Sequence, residues 1–221
     1  MGGCDGEGDP VCTADYEIYF WDGSFPIIPS PITNNSTNDY GPDVSGSKVV
    51  WLARDGSLDD DLEIYFWDGT TTTNISDNST NDYDPAISGS NVVWDALDAN
   101  DAEIYMWDGA TITPITDNSI DDFESDVSGS NVVWLGYDGD SEQRVHFRSG
   151  GTVTKITSTS TYDEGPAISG SNVVWMCDDG NDREICMTTI TEPSVPALPA
   201  IGRILLGLGM VGLGSRKKLI G

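Results

Sequence analysis

The sequence predicts an all-β fold, a β-propeller of repeated four-stranded blades, with repeats of about 41 residues and four to five blades. A short apolar helix is expected at the C-terminus. Three observations carry this. Val-Val-Trp recurs at 49–51, 92–94, 132–134 and 173–175, each time behind a Ser-Gly-Ser at 45–47, 88–90, 128–130 and 169–171. Each unit holds four short runs rich in β-branched and aromatic residues, parted by Gly, Asp, Asn and Ser clusters. No stretch of the body has helical periodicity with caps.

The unit around the second Val-Val-Trp shows the elements in order. The first run is Pro-Ala-Ile-Ser (85–88) and the second Asn-Val-Val-Trp (91–94). The third is Glu-Ile-Tyr-Met-Trp (103–107) and the fourth Thr-Ile-Thr-Pro-Ile-Thr (111–116). Ser-Gly-Ser makes a tight turn between the first two, since Gly accepts positive φ. Asp108-Gly109 does the same between the last two. In Ile64-Tyr65-Phe66-Trp67 the Ile and Phe face one way, the Tyr and Trp the other. A strand that is apolar on both faces belongs to a sheet covered on both faces, as stacked blades are.

Three units are complete, at about 43–76, 84–116 and 126–157. The chain opens inside a repeat, at the loop before a third strand, and has no basic and apolar leader, so an upstream segment is expected. Two closures follow from the strand count. The pair at 167–175 completes a blade with the pair at 17–28, giving a four-bladed ring, or 184–189 supplies its own third strand in a five-blade arc.

Composition narrows the function. The formal charge is -27, and all 37 acidic residues precede Pro193. Such a surface repels nucleic acid, which is excluded as a partner. The cysteines come as Cys4/Cys12 and Cys177/Cys186, each pair flanking a Gly/Asp-rich turn. This spacing predicts two hairpin disulfides and an oxidising compartment. Four free thiols in a reducing compartment are the alternative. A zinc site is disfavoured, since no CxxC occurs and His146 is the single histidine.

The tail reads as three pieces. The body spans 1–191, a Pro-rich linker 192–200 and an apolar segment with a basic end 201–221. The apolar run is marginal for a bilayer, and Arg216, Lys217 and Lys218 would stay cytoplasmic, placing the acidic body outside.

Little points to catalysis. There is no Gly-x-Ser-x-Gly, no phosphate loop and no dinucleotide fingerprint. His146 stands where other copies have Tyr65 and Tyr105, which reads as a packing substitution. A carboxylate pair of the glycosidase kind stays open, although acids that recur with the blade serve the blade. The loop between second and third strands is more suggestive. Its copies supply Asp55, Asp59 and Asp61, then Asp98 and Asn100, then Asp138 and Asp140, then Asp178, Asn181 and Asp182. Alternating oxygen ligands in a turn suit calcium, so these ten are candidate metal ligands, with solvated hairpin turns as the alternative.

The run Asp-Tyr-Asp-Pro-Ala-Ile-Ser-Gly-Ser-Asn-Val-Val-Trp (82–94), an Asp-rich loop, then Glu-Ile-Tyr (103–105) resembles the TolB-like propeller repeat over about 13–190. It departs at the turn, where that family has Ser-Pro-Asp-Gly. Val-Pro-Ala-Leu-Pro (195–199), an apolar segment and Arg-Lys-Lys resemble PEP-CTERM sorting signals. The resemblances imply an exported, non-enzymatic bacterial propeller at the cell surface or outside the cell. It would bind a protein or glycan, and its tail would meet a membrane and a sorting enzyme. The alternative is an accessory propeller of an extracellular hydrolase or peptidase.

Overall fold

The computed structural model describes residues 15–26, 28–54, 56, 61–98, 100–139, 142–158, 162–178 and 180–191. Cys4, Cys12, Asp55, Asp59, Asp140 and the expected C-terminal helix lie outside them. One compact unit ends at Ile190.

The described residues of that unit form five antiparallel sheets in sequence order. The first is the short pair β1 (Tyr19–Phe20) and β2 (Ser30–Pro31). Three meanders of four strands follow. They are β3 (Asp39–Ser45), β4 (Lys48–Arg54), β5 (Leu62–Trp67) and β6 (Thr72–Asn74); β7 (Asp82–Ser88), β8 (Asn91–Leu97), β9 (Ala102–Trp107) and β10 (Ile112–Pro114); and β11 (Asp122–Ser128), β12 (Asn131–Tyr137), β13 (Gln143–Ser149) and β14 (Thr152–Lys155). The last sheet is β15 (Tyr162–Ser169), β16 (Asn172–Asp178) and β17 (Arg183–Thr189). Of the two closures open from sequence, the four-bladed one that would pair 167–175 with 17–28 is not seen among the described residues: β17 occupies the third-strand place beside β16, and β1–β2 stands as a separate sheet. The first strands β3, β7, β11 and β15 pack sheet to sheet and line the inner side.

The repeated motif builds the core because each strand feeds two interfaces. Val49 and Trp51 pack against Ile18 and Phe20 of the preceding sheet, while Val50, Ile64 and Phe66 meet Ile87, Val92 and Trp94 of the next. The pattern recurs where Val93 and Ile104 meet Val132 and Trp134, and where Val133 and Val145 meet Val173 and Trp175. The alternation expected for residues 64–67 is thus observed, each face serving a different neighbour.

Polar stitches complete the interfaces. In three of the four copies the first Ser of Ser-Gly-Ser accepts the glycine N–H of the next blade: Gly89 to Ser45 at 2.8 Å, Gly129 to Ser88 at 2.9 Å and Gly170 to Ser128 at 2.8 Å. Asp43 accepts from Val44 at 2.8 Å and from Ile87 of the next blade at 2.8 Å. Asp126 does likewise for Val127 at 2.8 Å and Ile168 at 2.7 Å. One Asp therefore serves two blades, and Ala86 and Ala167 suffice at the alternate copies.

Cys177 and Cys186 are disulfide-bonded, with Cα atoms 5.9 Å apart. They lie one diagonal step apart, since Cys177 faces Glu184 and Cys186 faces Trp175. The bridge closes a hairpin of sequence separation 9. Replacing both cysteines by Ala is expected to lower stability by about 2–3 kcal/mol, read as the denaturant midpoint without reductant.

Candidate binding site in the axial cleft

Several carboxylates of the body are absorbed by the repeat. Asp39, Asp82 and Asp122 open the first strand of their blades, and each accepts the indole N–H of the following tryptophan: Trp51 at 2.9 Å, Trp94 at 2.9 Å and Trp134 at 2.8 Å. The other oxygen takes an amide, from Asn78 at 2.9 Å in the second blade and Asn118 at 2.6 Å in the third. Each of those asparagines is fixed in turn by a buried Glu, since Asn78 N–H donates to Glu63 at 3.1 Å and Asn118 N–H to Glu103 at 2.5 Å. Burial pushes Asp82 up to about 7 and Asp122 up to about 6, against hydrogen bonds that lower both. The cluster at 78–84 therefore ties one blade to the next. His146 stacks on Trp134 at 5.6 Å, as Tyr65 does on Trp51 at 5.8 Å and Tyr105 on Trp94 at 6.1 Å. It is the packing substitution its sequence position suggests, and burial lowers its pKa.

The candidate calcium ligands fall on separate loops. Asp98 caps its turn, accepting from Asn100 N–H at 2.6 Å and Asp101 N–H at 3.1 Å. Those bonds hold its carboxyl below the usual range. Asn100 is exposed. Asp138 pairs with Lys155 at 2.7 Å and lies 3.6 Å from Arg144 Nε. Asp178 accepts from Gly180 N–H at 2.7 Å, and Asn181 and Asp182 are exposed in the following turn. Asp61 is buried just before β5. Among the described residues no three His, Cys, Asp or Glu side chains converge on one point.

What breaks the repeat is a different set of acids. In each first strand the register slips by a bulge, and the residue there has positive φ. Gly41 (52°) and Gly165 (53°) take it easily, but the second and third blades place Asp84 (48°) and Glu124 (52°) there. A non-glycine residue in this region is strained. Beneath them lies Asp95, at the strand position held elsewhere by Leu52, Leu135 and Met176. It is 6 % exposed, and its Oδ1 has no hydrogen-bond partner. Burial first, then the charges of Asp84, Glu124 and Asp82, push Asp95 up to about 8. Asp84 also lines an inner cleft of about 480 Å³ with Tyr40, Pro85, Ala86 and Ala167, built from the first strands of four blades with Leu52 of β4 added. Sequence reading missed these three. The signal was available, since Asp95 is the polar exception in a column of Leu, Leu and Met.

No family model matches the chain, and no curated protein does. Solved structures do resemble it. The β-propeller domain of the trilobed protease from Pyrococcus furiosus, described as having an open velcro topology, aligns with TM-score 0.57 and 13% identity over 77% of this chain and 59% of that one. A protein from Agrobacterium tumefaciens assigned as TolB gives 0.55 and 17% over 73% and 66%. Acylaminoacyl peptidase from Pyrococcus horikoshii gives 0.52 and 16% over 74% of this chain but 28% of its own length. The chain thus spans about three-fifths of the protease propeller and under a third of the peptidase. The fold is that of a β-propeller, similar to TolB and to peptidase propeller domains.

Proposed function

We propose that this chain is an exported, non-enzymatic propeller that binds a protein or glycan ligand through its inner cleft. It would act at the cell surface or outside the cell, held at least transiently by a PEP-CTERM-like tail. The observation that carries the reading is the departure from repeat symmetry at Asp84, which lines the cleft, and at Asp95 and Glu124, whose charges bear on the same place. Two strained residues and a buried carboxylate cost stability, and sites keep such costs where a ligand needs them. The disulfide supports an oxidising compartment. The structural likeness to peptidase propellers favours a second reading, an accessory propeller working beside a hydrolase domain.

The test uses the full chain immobilised beside Ala167→Trp, which fills the cleft from an exposed position on β15. Both are exposed to medium and surface extract of the producing cells. The expected result is a component retained by the parent and lost by Ala167→Trp at unchanged circular dichroism. Ester, peptide and glycoside substrates should turn over at background. Equal retention by both proteins would overturn the cleft, and turnover that tracks folded protein would overturn the non-enzymatic reading.

A further inference from the structure

Every junction between neighbouring sheets joins two different faces. The outgoing face carries one second-strand valine and two third-strand side chains. These are Val50, Ile64 and Phe66 in the first blade, Val93, Ile104 and Met106 in the second, and Val133, Val145 and Phe147 in the third. The incoming face of the next sheet answers with the first Val and the Trp of Val-Val-Trp. Where the third strand has Tyr and Trp, they join that face, as Tyr65 and Trp67 do. The third-strand Trp meets the outgoing side chain of the sheet before it. Trp67 lies 5.3 Å from Phe20 and Trp107 4.9 Å from Phe66, ring centre to ring centre.

The last sheet repeats the outgoing face and leaves it open. Val174 stands opposite Met187 and Met176 opposite Ile185, as Val50 stands opposite Phe66 and Leu52 opposite Ile64. Val50, Ile64 and Phe66 are buried, whereas Val174 is exposed, Ile185 is 75 % exposed and Met187 63 %. The first sheet is open on the opposite face. Its Glu17-Ile18-Tyr19-Phe20-Trp21 repeats Glu63-Ile64-Tyr65-Phe66-Trp67. Ile18 and Phe20 pack forward onto Val49 and Trp51. Tyr19 and Trp21 alternate with them and face the other way, 62 % and 46 % exposed. Trp21 is held there, its indole N–H donating to Ser24 C=O at 2.8 Å. Among the described residues, five sheets thus leave one outgoing and one incoming face uncovered.

We infer that the last sheet of one copy docks on the first sheet of a second copy, head to tail, with Ile185 and Met187 against Tyr19 and Trp21. The contact continues a junction that the chain already makes between its own sheets. Met187 stands at the place of Phe20 and Phe66, and Trp21 at the place of Trp67 and Trp107. A thioether against an aromatic ring is a favourable pair. Exposed apolar side chains gathered on one face mark an association surface, unlike single ones scattered over a monomer. Because the two faces differ, the contact is heterologous. It closes a ring of copies if the rotation allows and otherwise extends as a filament.

The test is sedimentation of the full chain over a concentration series, with one variant for each face. The parent should gain mass as concentration rises. Ile185→Asp and Trp21→Asp should each weaken self-association by about 10-fold or more, because docking would bury an unpaired carboxylate. Mixed one to one, the two variants should form a dimer and nothing larger, since each keeps the face that the other has lost. Both positions are exposed, so their circular dichroism should match the parent. A parent that stays monomeric throughout would overturn the docking. Trp21→Asp associating like the parent would overturn it too, because the last sheets would then pair with each other. So would association that neither variant weakens, which would place the contact in the apolar segment 201–221. A mixture that associates no better than either variant alone would likewise overturn it.

Discussion

Trp94→Ala is expected to destabilise the protein by about 3–5 kcal/mol, a fall of roughly 10 °C in melting temperature for a chain of this size. Trp94 is 2 % exposed and packs with Val50, Ile64 and Phe66 of the preceding blade. Its truncation opens a cavity between two blades rather than within one. It also strips Asp82 Oδ1 of the 2.9 Å indole hydrogen bond. Trp94→Phe separates the two effects. It keeps most of the apolar contact and leaves the carboxylate without that donor, at a cost of about 1–3 kcal/mol. Chemical denaturation of both variants checks the partition. Equal losses would mean that the hydrogen bond, not the packing, dominates.

Stability should fall as pH rises from about 5 to 8.5, the reverse of a protein held by ionised acid pairs. Burial is the first cause that raises Asp95 to about 8, Asp82 to about 7 and Asp122 to about 6, from an ordinary value of 3.8. Between the unfolded and folded values the native state holds more protons than the unfolded one. The contribution is therefore complete below the unfolded value and lost as pH rises through the folded values. Exposed caps such as Asp68 and Asp108 are shifted down by backbone N–H groups and act oppositely, losing their contribution below the ordinary carboxylate range. The melting temperature in EDTA should peak near pH 5 and drop by roughly 10 °C by pH 8.5. Asp95→Leu, which restores the repeat residue, should flatten the alkaline limb above pH 7 and raise the melting temperature there. A parent curve that is flat or rising across this range would show that the buried acids ionise without cost.

The repeat was legible because its residues obey a period. Val-Val-Trp and Glu-Ile-Tyr each recur with fixed neighbours, and both faces of the strands are apolar, so blade stacking follows from sequence alone. The inner bulges were not legible, because Gly41 and Asp84 share no chemistry. Only the backbone shows that they take the same left-handed conformation. The stitches of Ser45, Ser88 and Ser128 hid inside a motif whose glycine already explained it as a turn. Asp43 and Asp126 hid for another reason, since each serves a backbone N–H some 42 to 44 residues away, beyond any local pattern. The acids that depart from the repeat required a comparison between blades. Asp84, Asp95 and Glu124 stand out only when each is compared with its counterparts in the other blades, Gly41, Leu52 and Gly165.

The serine stitch has a consequence for how such a chain lengthens or shortens through descent. At three successive junctions a blade offers its successor the same hydroxyl and receives the same amide in return. Recombination between two Ser-Gly-Ser segments, in frame, would delete or duplicate one whole blade and still leave every serine stitch matched. Blade count is then a quantity that drift can alter in unit steps, with no new contact to invent. Asp43 and Asp126 add a parity rule, because each serves two blades and is followed by an alanine copy. Gains and losses in pairs would preserve the alternation, whereas a single step would set two aspartates or two alanines side by side.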